Sequence, residues 1–276
     1  MLRPRTLLMV VAAVLGFSAT WLLAPQNSLG DDFKAKADEA FAKLAAYDFG
    51  GDPGATTVIS GMVAGSYGKA AERKALASRL GAVLTSGAPR GAKDFACRQL
   101  SLIGTAEEVP ALAGLLPDEN LSHMARYALE RIPDPAACEA IRQALGKVRG
   151  KLLAGMINSL GDRRYQGAVA DLAKLLGNPD AAAAQAAAVA LGKIGPAGAA
   201  ALTAALDSAA PAVRPAVAQA MLLCAEGLCA ANKRDEAAAI YDRLRKSDVK
   251  AVRVAAARGA VLARQAAGIP LLVEQL

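Results

Sequence analysis

The sequence is poor in aromatic residues and rich in small aliphatic ones. Phe, Trp and Tyr together make up 4% of its 276 residues, although 54% of the residues are hydrophobic. β-Sandwiches and β-barrels build their strands from β-branched and aromatic residues, so a strand-rich fold is excluded. Alanine accounts for about a quarter of the chain, and it is the strongest helix former because it loses no side-chain entropy in a helix. The composition therefore predicts an almost entirely helical protein.

Histidine and cysteine are also scarce, which excludes most metal and redox sites. His123 is the only histidine, whereas catalytic dyads and zinc sites need several such groups. The four cysteines form neither Cys-x-x-Cys nor Cys-x-x-Cys-His, so no thioredoxin-like or haem site is supported. We expect Cys97 and Cys138 to be small buried thiols, with a disulfide between them left open as the alternative. We predict no catalytic residue, no cofactor and no metal, and hence no enzyme activity.

The formal net charge is +7, but the charged residues do not form runs. Lys and Arg alternate with Asp and Glu along the chain, which is typical of solvated helix faces. Nucleic-acid-binding proteins instead cluster their basic residues and add aromatic side chains that stack on bases. We therefore expect no nucleic-acid partner.

Residues 1–30 have the pattern of a bacterial secretory signal. Arg3 and Arg5 precede an uncharged run over residues 6–24, and small residues favour cleavage after Gly30. This pattern predicts an exported protein that is periplasmic or secreted. The uncharged run is also long enough to span a bilayer, so a retained anchor that tethers the protein to the membrane is the alternative.

Beyond residue 70, pairs of aliphatic residues four positions apart recur about every thirty residues. Residues four apart lie on one side of a helix, so each pair marks the buried stripe of one short helix. The pairs are Leu80 and Leu84, Leu112 and Leu116, Ile141 and Leu145, Leu172 and Leu176, Leu202 and Leu206, Ile240 and Leu244, and Leu272 and Leu276.

A second pattern, aliphatic-x-x-aliphatic-Gly, lies between these pairs. It ends at Gly104, Gly161 and Gly195, and in one further unit Pro133 takes the place of the glycine. Glycine permits the left-handed backbone conformation that ends many helices. We therefore predict that each of these glycines ends the second helix of its unit. A period near thirty with two helices per unit is typical of an α-solenoid, in which neighbouring units share one core.

Several short motifs add a family resemblance to this periodicity. They are Val109-Pro110-Ala111-Leu112, Ile269-Pro270-Leu271-Leu272, the pairs Val213-Arg214 and Val252-Arg253, and Ala-Leu-Gly-Lys-Ile-Gly over residues 190–195. Through them the chain resembles the HEAT-repeat family, in particular the short subtype named after phycobilisome-lyase subunits. The resemblance implies an all-α fold, a right-handed α-α superhelix of about six to seven helix pairs. Residues 217–245 also resemble a tetratricopeptide helix pair.

The organisation that we predict has three parts. Residues 1–30 form the signal, residues 31–69 form capping helices, and residues 70–276 form the repeat array. Leu276 falls on the first helix of a unit, so the array ends in mid-repeat in this sequence. Its last helix is apolar, and we expect it to support self-association unless a longer native chain covers it.

One polar column emerges when the predicted second helices are aligned by their terminal Gly or Pro. In HEAT arrays the second helices line the concave side, so the resemblance implies that this column faces a groove that binds a protein partner. The residues of the column are Asp94, Arg98, His123, Tyr127, Glu130, Lys151, Asn158 and Gln185.

We therefore interpret the protein as an exported, non-catalytic scaffold that binds protein partners through the concave face of its second helices. Two alternatives remain open. One is a lyase-type or enzyme-associated subunit, as the phycobilisome-lyase relatives would imply. The other is the helical arm of a longer enzyme whose catalytic part is encoded beyond Leu276.

Overall fold

A computed structural model describes residues 29–273. Over this range the chain consists of α-helices joined by turns and short 3-10 segments. The expected signal segment up to residue 28 lies outside the described residues, and so does Leu276. None of the helices in the described range combines the length and the apolar character that a membrane crossing needs.

The described residues form fifteen α-helices. In chain order they are α1 (Asp31–Leu44), α2 (Gly54–Gly65), α3 (Ala70–Thr85), α4 (Arg90–Ile103), α5 (Val109–Gly114), α6 (Ser122–Leu129), α7 (Pro135–Ala144), α8 (Gly150–Asp162), α9 (Val169–Leu175), α10 (Ala181–Ile194), α11 (Ala199–Ala205), α12 (Arg214–Ala230), α13 (Arg234–Leu244), α14 (Lys250–Arg264) and α15 (Ile269–Val273).

The helices form two layers. The even-numbered helices α2 to α14 stack on one another in chain order, and the odd-numbered helices lie beside them as a first layer. Helix α10, for example, packs against α8 and α12 of its own layer and against α9. The array from α3 to α14 contains six helix pairs, with the pair α1 and α2 in front of it. The protein is thus an α-solenoid, and the predicted fold class is confirmed.

The core lies between the two layers and is built from the aliphatic pairs. Leu80, Leu112, Leu172 and Leu202 are completely buried. Their partners four residues later are also buried, apart from the half-buried Leu206. Full burial of one leucine contributes about 1.5–3 kcal/mol. No unit could supply this burial alone, because each apolar stripe faces its neighbours in the stack.

The turns between helices are fixed by local hydrogen bonds. Thr105 and Glu108 form a capping box ahead of α5: the Thr105 N–H donates to the Glu108 carboxylate over 2.9 Å. The carboxylates of Asp134 and Asp180 accept the backbone N–H groups of Ala136 and Ala182, which begins α7 and α10. Such caps satisfy N–H groups that have no partner within their own helix.

Only one of the three glycines fits the predicted way of ending a second helix. Gly195 follows α10 with φ +89°, as expected. Gly104 follows α4 with an extended backbone instead. Gly161 lies inside α8, so its prediction was wrong. A Cβ atom on Gly161 would come within 2.8 Å of the Cα of Ala190, which shows that this glycine allows α8 and α10 to approach closely.

Candidate functional site

The second-helix face is the outer surface of α4, α6, α8, α10, α12 and α14, and it carries the predicted polar column. The contact between Gly161 and Ala190 is repeated one unit later, where a Cβ on Gly192 would lie 2.9 Å from the Cα of Ala220. Gly161 therefore corresponds to Gly192 and not to Gly195. This moves α10 by three residues relative to the sequence alignment, so Gln185 lies level with Ala154 and outside the column.

The first two residues of the column bind each other on α4. Asp94 is buried, with only 7% of its surface exposed. Its carboxylate accepts hydrogen bonds from Arg98 Nε at 2.8 Å and from Nη2 at 2.5 Å. Arg98 itself is exposed. Asp94 thus orients the Arg98 guanidinium, and the guanidinium is the group that faces the solvent.

On α6, His123 and Tyr127 are each in contact with an arginine. The exposed His123 places Nδ1 3.4 Å from Nη2 of Arg126. The Arg131 guanidinium lies 3.6 Å from the centre of the Tyr127 ring, a cation–π contact. This contact leaves the Tyr127 ring half-buried beneath a positive charge.

Glu130 belongs to a polar network that joins α6 to α8. Arg126 Nη1 donates to the Gly155 carbonyl at 3.2 Å and to Ser159 Oγ at 3.0 Å. The Ser159 hydroxyl in turn donates to Glu130 at 2.5 Å. Burial lowers the pKa of Arg126, and its Nε atom is buried without a partner among the described residues. The network holds the two helices together.

The sequence did not identify Arg126 or Ser159 as members of this network. In the sequence, an arginine on a helix with other polar residues is indistinguishable from an ordinary solvent-exposed arginine. The one available signal is Gly155, where a Cβ would come within 2.9 Å of the Arg126 guanidinium carbon. A glycine at mid-helix therefore provides the space for a long side chain from the neighbouring helix.

The remaining column residues differ in their exposure and bonding. Lys151 and Asn158 are exposed, and their side chains form no hydrogen bond or ion pair within the described part of the chain. Gln185 donates from Nε2 to the Ala212 carbonyl at 2.7 Å and so links α10 to the turn before α12. The side chains of Lys151 and Asn158 are therefore available for contacts with another molecule.

Large apolar side chains are also exposed on the second-helix face. Each of them leaves between 40% and 61% of its surface exposed: Leu102, Val189, Leu223, Val254 and Leu262. None of the odd-numbered helices from α1 to α13 exposes a large apolar side chain in this way. One exposed leucine is ordinary in a soluble protein. As far as α14, these exposed side chains lie on one helix layer and not on the other; the first layer exposes Ile269 and Val273 at α15.

Within residues 29–273 the cysteines offer no reactive or metal-binding site. All four are free thiols, and Cys97, Cys138 and Cys224 are buried. Burial raises the pKa of Cys97 to about 12 and that of Cys224 to about 11, so both are poor nucleophiles. The expectation of small buried thiols at Cys97 and Cys138 is confirmed. No group of three or more potential metal ligands occurs in this range.

The two close contacts between a glycine and an alanine of the next helix lie in α8, α10 and α12. Residues 149–222 match the family of HEAT repeats. The HEAT match covers α8 to α11 and the first part of α12. It includes both of the close helix contacts, at Gly161 and at Gly192.

Solved structures similar to the chain include engineered and designed proteins. One engineered protein is 21% identical, with a TM-score of 0.43, and the match covers 87% of this chain and 73% of the other. A designed armadillo repeat protein is 18% identical, with a TM-score of 0.41, covering 67% and 98%. A further engineered protein is 19% identical, with a TM-score of 0.36, covering 85% and 97%. No curated protein matches the chain.

Proposed function

We propose that the protein is a non-catalytic scaffold that binds one or more partner proteins through its second-helix face. The observation that carries this proposal is the exposure of five large apolar side chains on that face and none on the opposing helices up to α13. Solenoid repeats present extended surfaces of this kind to protein partners. Exposed apolar groups grouped on one surface mark interaction sites in soluble proteins.

The residues of the predicted column have two different roles in this proposal. Arg98, His123 and Lys151 are exposed and provide charged or polar contacts, together with Tyr127 and Asn158. Asp94 orients Arg98. Glu130 holds α6 against α8 through Ser159, and Gln185 holds the turn before α12. These last three residues position the surface and do not contact the partner.

We also propose that the protein is exported and acts in the periplasm or outside the cell. The support is the charge pattern of residues 1–30, in which Arg3 and Arg5 precede the uncharged run. If the run is retained, the array is tethered to the membrane. The intact mass of the mature protein distinguishes these forms, because cleavage after Gly30 removes the first thirty residues.

Site-specific photo-crosslinking in the cells that produce the protein tests the scaffold proposal. A benzophenone amino acid replaces Asn158 on α8 or Leu223 on α12, with Lys174 on α9 and Lys36 on α1 as matched exposed controls. We expect Asn158 and Leu223 to give the same crosslinked partner band and the two controls to give none. Crosslinks from the controls alone, or equally from all four positions, would contradict the proposal.

A further inference from the structure

Charged residues are distributed unequally between the two helix layers. The odd-numbered helices from α1 to α13 carry ten Lys or Arg residues and ten Asp or Glu residues. The six helices of the second-helix face carry eleven Lys or Arg residues and three acidic ones. The cations are Arg90, Lys93, Arg98, Arg126, Lys151, Lys193, Arg214, Lys250, Arg253, Arg258 and Arg264; the acids are Asp94, Asp162 and Glu226. The second layer is therefore positive, whereas the first is neutral.

Several acidic groups near the second-helix face have partners within the described chain. Asp94 pairs with Arg98, and Asp162 pairs with Lys193 at 2.6 Å. In the turns that lead into α6 and α10, Asp118 and Asp180 accept backbone N–H groups. Asp94 and Asp162 therefore form their ion pairs with Arg98 and Lys193 and not with the other cations of the face.

Several cations of the second-helix face have no internal partner. Within the described residues, the side chains of Lys93, Lys151, Lys250 and Arg258 form no hydrogen bond and no ion pair. Lys151, Lys250 and Arg258 are exposed. Unpaired cations on one surface produce a field that attracts negative charge over about one Debye length, or about 8 Å at physiological salt.

Two of the free cations lie beside an exposed apolar side chain. On α14, Val254 lies one helical turn after Lys250 and one turn before Arg258. All three residues are exposed. Residues four apart on a helix are neighbours on its surface. A ligand that fits this arrangement presents an apolar group between two carboxylates.

We propose that the second-helix face binds an acidic segment of a partner protein, in which apolar side chains alternate with carboxylates. This inference rests on the proposed scaffold function and adds the chemistry of the partner. Nucleic acid fits the face less well, because stacking on bases needs open aromatic rings. Tyr127 is half-buried there and is already stacked by Arg131.

Fluorescence anisotropy with the full chain and three labelled model peptides tests this inference. The first peptide alternates Glu with Leu, the second replaces every Glu by Gln, and the third replaces every Glu by Lys. We expect the acidic peptide to bind at least about tenfold more tightly than the other two and to weaken as salt rises.

Matched charge-reversal variants locate the binding surface. We expect the triple variant K151E/K250E/R258E to weaken binding of the acidic peptide by about tenfold or more. The control K36E/K174E/R234E makes the same change in net charge on the first layer and should bind within about twofold of the parent. Circular dichroism of both variants verifies that the helices are intact.

The results that would overturn this inference differ from those that would overturn the scaffold proposal. Equal binding of the three peptides, no binding of the acidic one, or equal effects of the two triple variants would exclude an acidic partner. The scaffold proposal would still stand if crosslinking from Asn158 and Leu223 succeeds. Binding to vesicles of phosphatidylglycerol but not to phosphatidylcholine, without peptide binding, would identify a membrane surface as the ligand.

Discussion

At the scale of single residues, Gly161 determines how closely two helices pack. A Cβ atom there would lie 2.8 Å from the Cα of Ala190, and Cβ atoms in proteins do not make non-bonded contacts this short. Gly61 provides the matched case, since it also lies in a helix but has open space at its Cβ position. The same substitution should therefore have opposite effects at the two positions.

We expect Gly161→Ala to lower the free energy of unfolding by about 1–3 kcal/mol, because the extra methyl group forces α8 and α10 apart. Gly61→Ala should raise it by about 0.4–1 kcal/mol, because it reduces the entropy of the unfolded chain. Urea denaturation followed by circular dichroism measures both. If Gly161→Ala is as stable as the parent, the close contact does not limit packing.

We expect the removal of Arg126 to lower the free energy of unfolding more than the removal of Arg98. The Arg126 guanidinium is largely buried and joins α6 to α8, whereas the Arg98 guanidinium is exposed and pairs with the buried Asp94 of the same helix. Loss of a hydrogen bond to a charged group costs about 1.5–3 kcal/mol, and an exposed pair is worth about 0–1 kcal/mol. Arg126→Ala should therefore destabilise by about 2–3 kcal/mol, and Arg98→Ala by about 1 kcal/mol, because it leaves the buried Asp94 carboxylate without its arginine partner. Equal losses in urea denaturation would show that the network is not structural.

The buried thiols predict a loss of stability at alkaline pH. Burial raises the pKa of Cys97 to about 12 and that of Cys224 to about 11, from an ordinary value of 9.0. Above pH 9 the unfolded chain loses these protons while the folded chain keeps them, so stability falls as pH rises from 9 to 11. Below pH 9 both states are protonated, and this contribution is constant.

The double variant C97A/C224A tests this account of the alkaline loss. Between pH 8 and pH 10.5, its thermal unfolding midpoint should fall less than that of the parent. The pKa of Tyr241 is also raised by burial, to about 12, so part of the loss should remain in the variant. An unchanged pH dependence would exclude the thiols as its source.

Single residues also show where the sequence was sufficient and where it was not. The six aliphatic pairs from Leu80 and Leu84 to Ile240 and Leu244 were predicted correctly, because residues four apart in a helix share a side whatever the neighbouring units are. The glycines were ambiguous. Gly195 ends a helix and Gly161 lies inside one, but both follow the same aliphatic pattern. Only the opposite helix, at Ala190, distinguishes the two cases, and one sequence does not contain that information.

At the scale of helices, α10 lies in the interior of the second layer and α1 lies at a margin of the described array. Helix α10 packs closely on α8 at Ala190 and on α12 at Gly192. Helix α1 contacts α2, and it also contacts α3 through the pair of Asp38 with Arg79. In a solenoid each helix is stabilised by its neighbours alone, so a helix with fewer neighbours opens more often.

Hydrogen exchange measured by mass spectrometry should reflect this order. We expect peptides from α10 to exchange slowest, and peptides from α1 to exchange at least about tenfold faster. The control is a sample in urea, where both segments should exchange at similar rates. If all helices from α1 to α14 were equally protected from exchange in the native protein, the number of neighbouring helices would not determine the stability of a helix.

The helices themselves were largely predictable, while the register between them was not. The two-helix period follows from the chain alone, and so do helix starts at capping residues such as Asp134 and Asp180. The position of α10 relative to α8 depends on which glycine contacts which alanine. Since the alignment used the ends of helices, it placed Gln185 three residues away from its structural equivalent.

At the scale of the whole molecule, the two layers have different chemistry. The first layer balances its charges, partly through ion pairs between successive helices, such as Arg142 with Asp171 at 2.7 Å. The second layer has an excess of cations and exposes large apolar side chains. The sequence did not reveal this difference, because charges that alternate along the chain separate only when the helices fold into two layers.

The joint between α6 and α8 also has a mechanical consequence. Its neighbours along the second layer, α8 with α10 and α10 with α12, are held by backbones in close contact, whereas this joint depends on the hydrogen bonds of Arg126 and Ser159. Hydrogen bonds act over short distances and are readily exchanged for water. Stretched from its two ends in an optical trap, the molecule should lengthen here first. Between α6 and α12 the array then behaves as a stiff segment, α8 to α12, linked to α6 by a compliant joint.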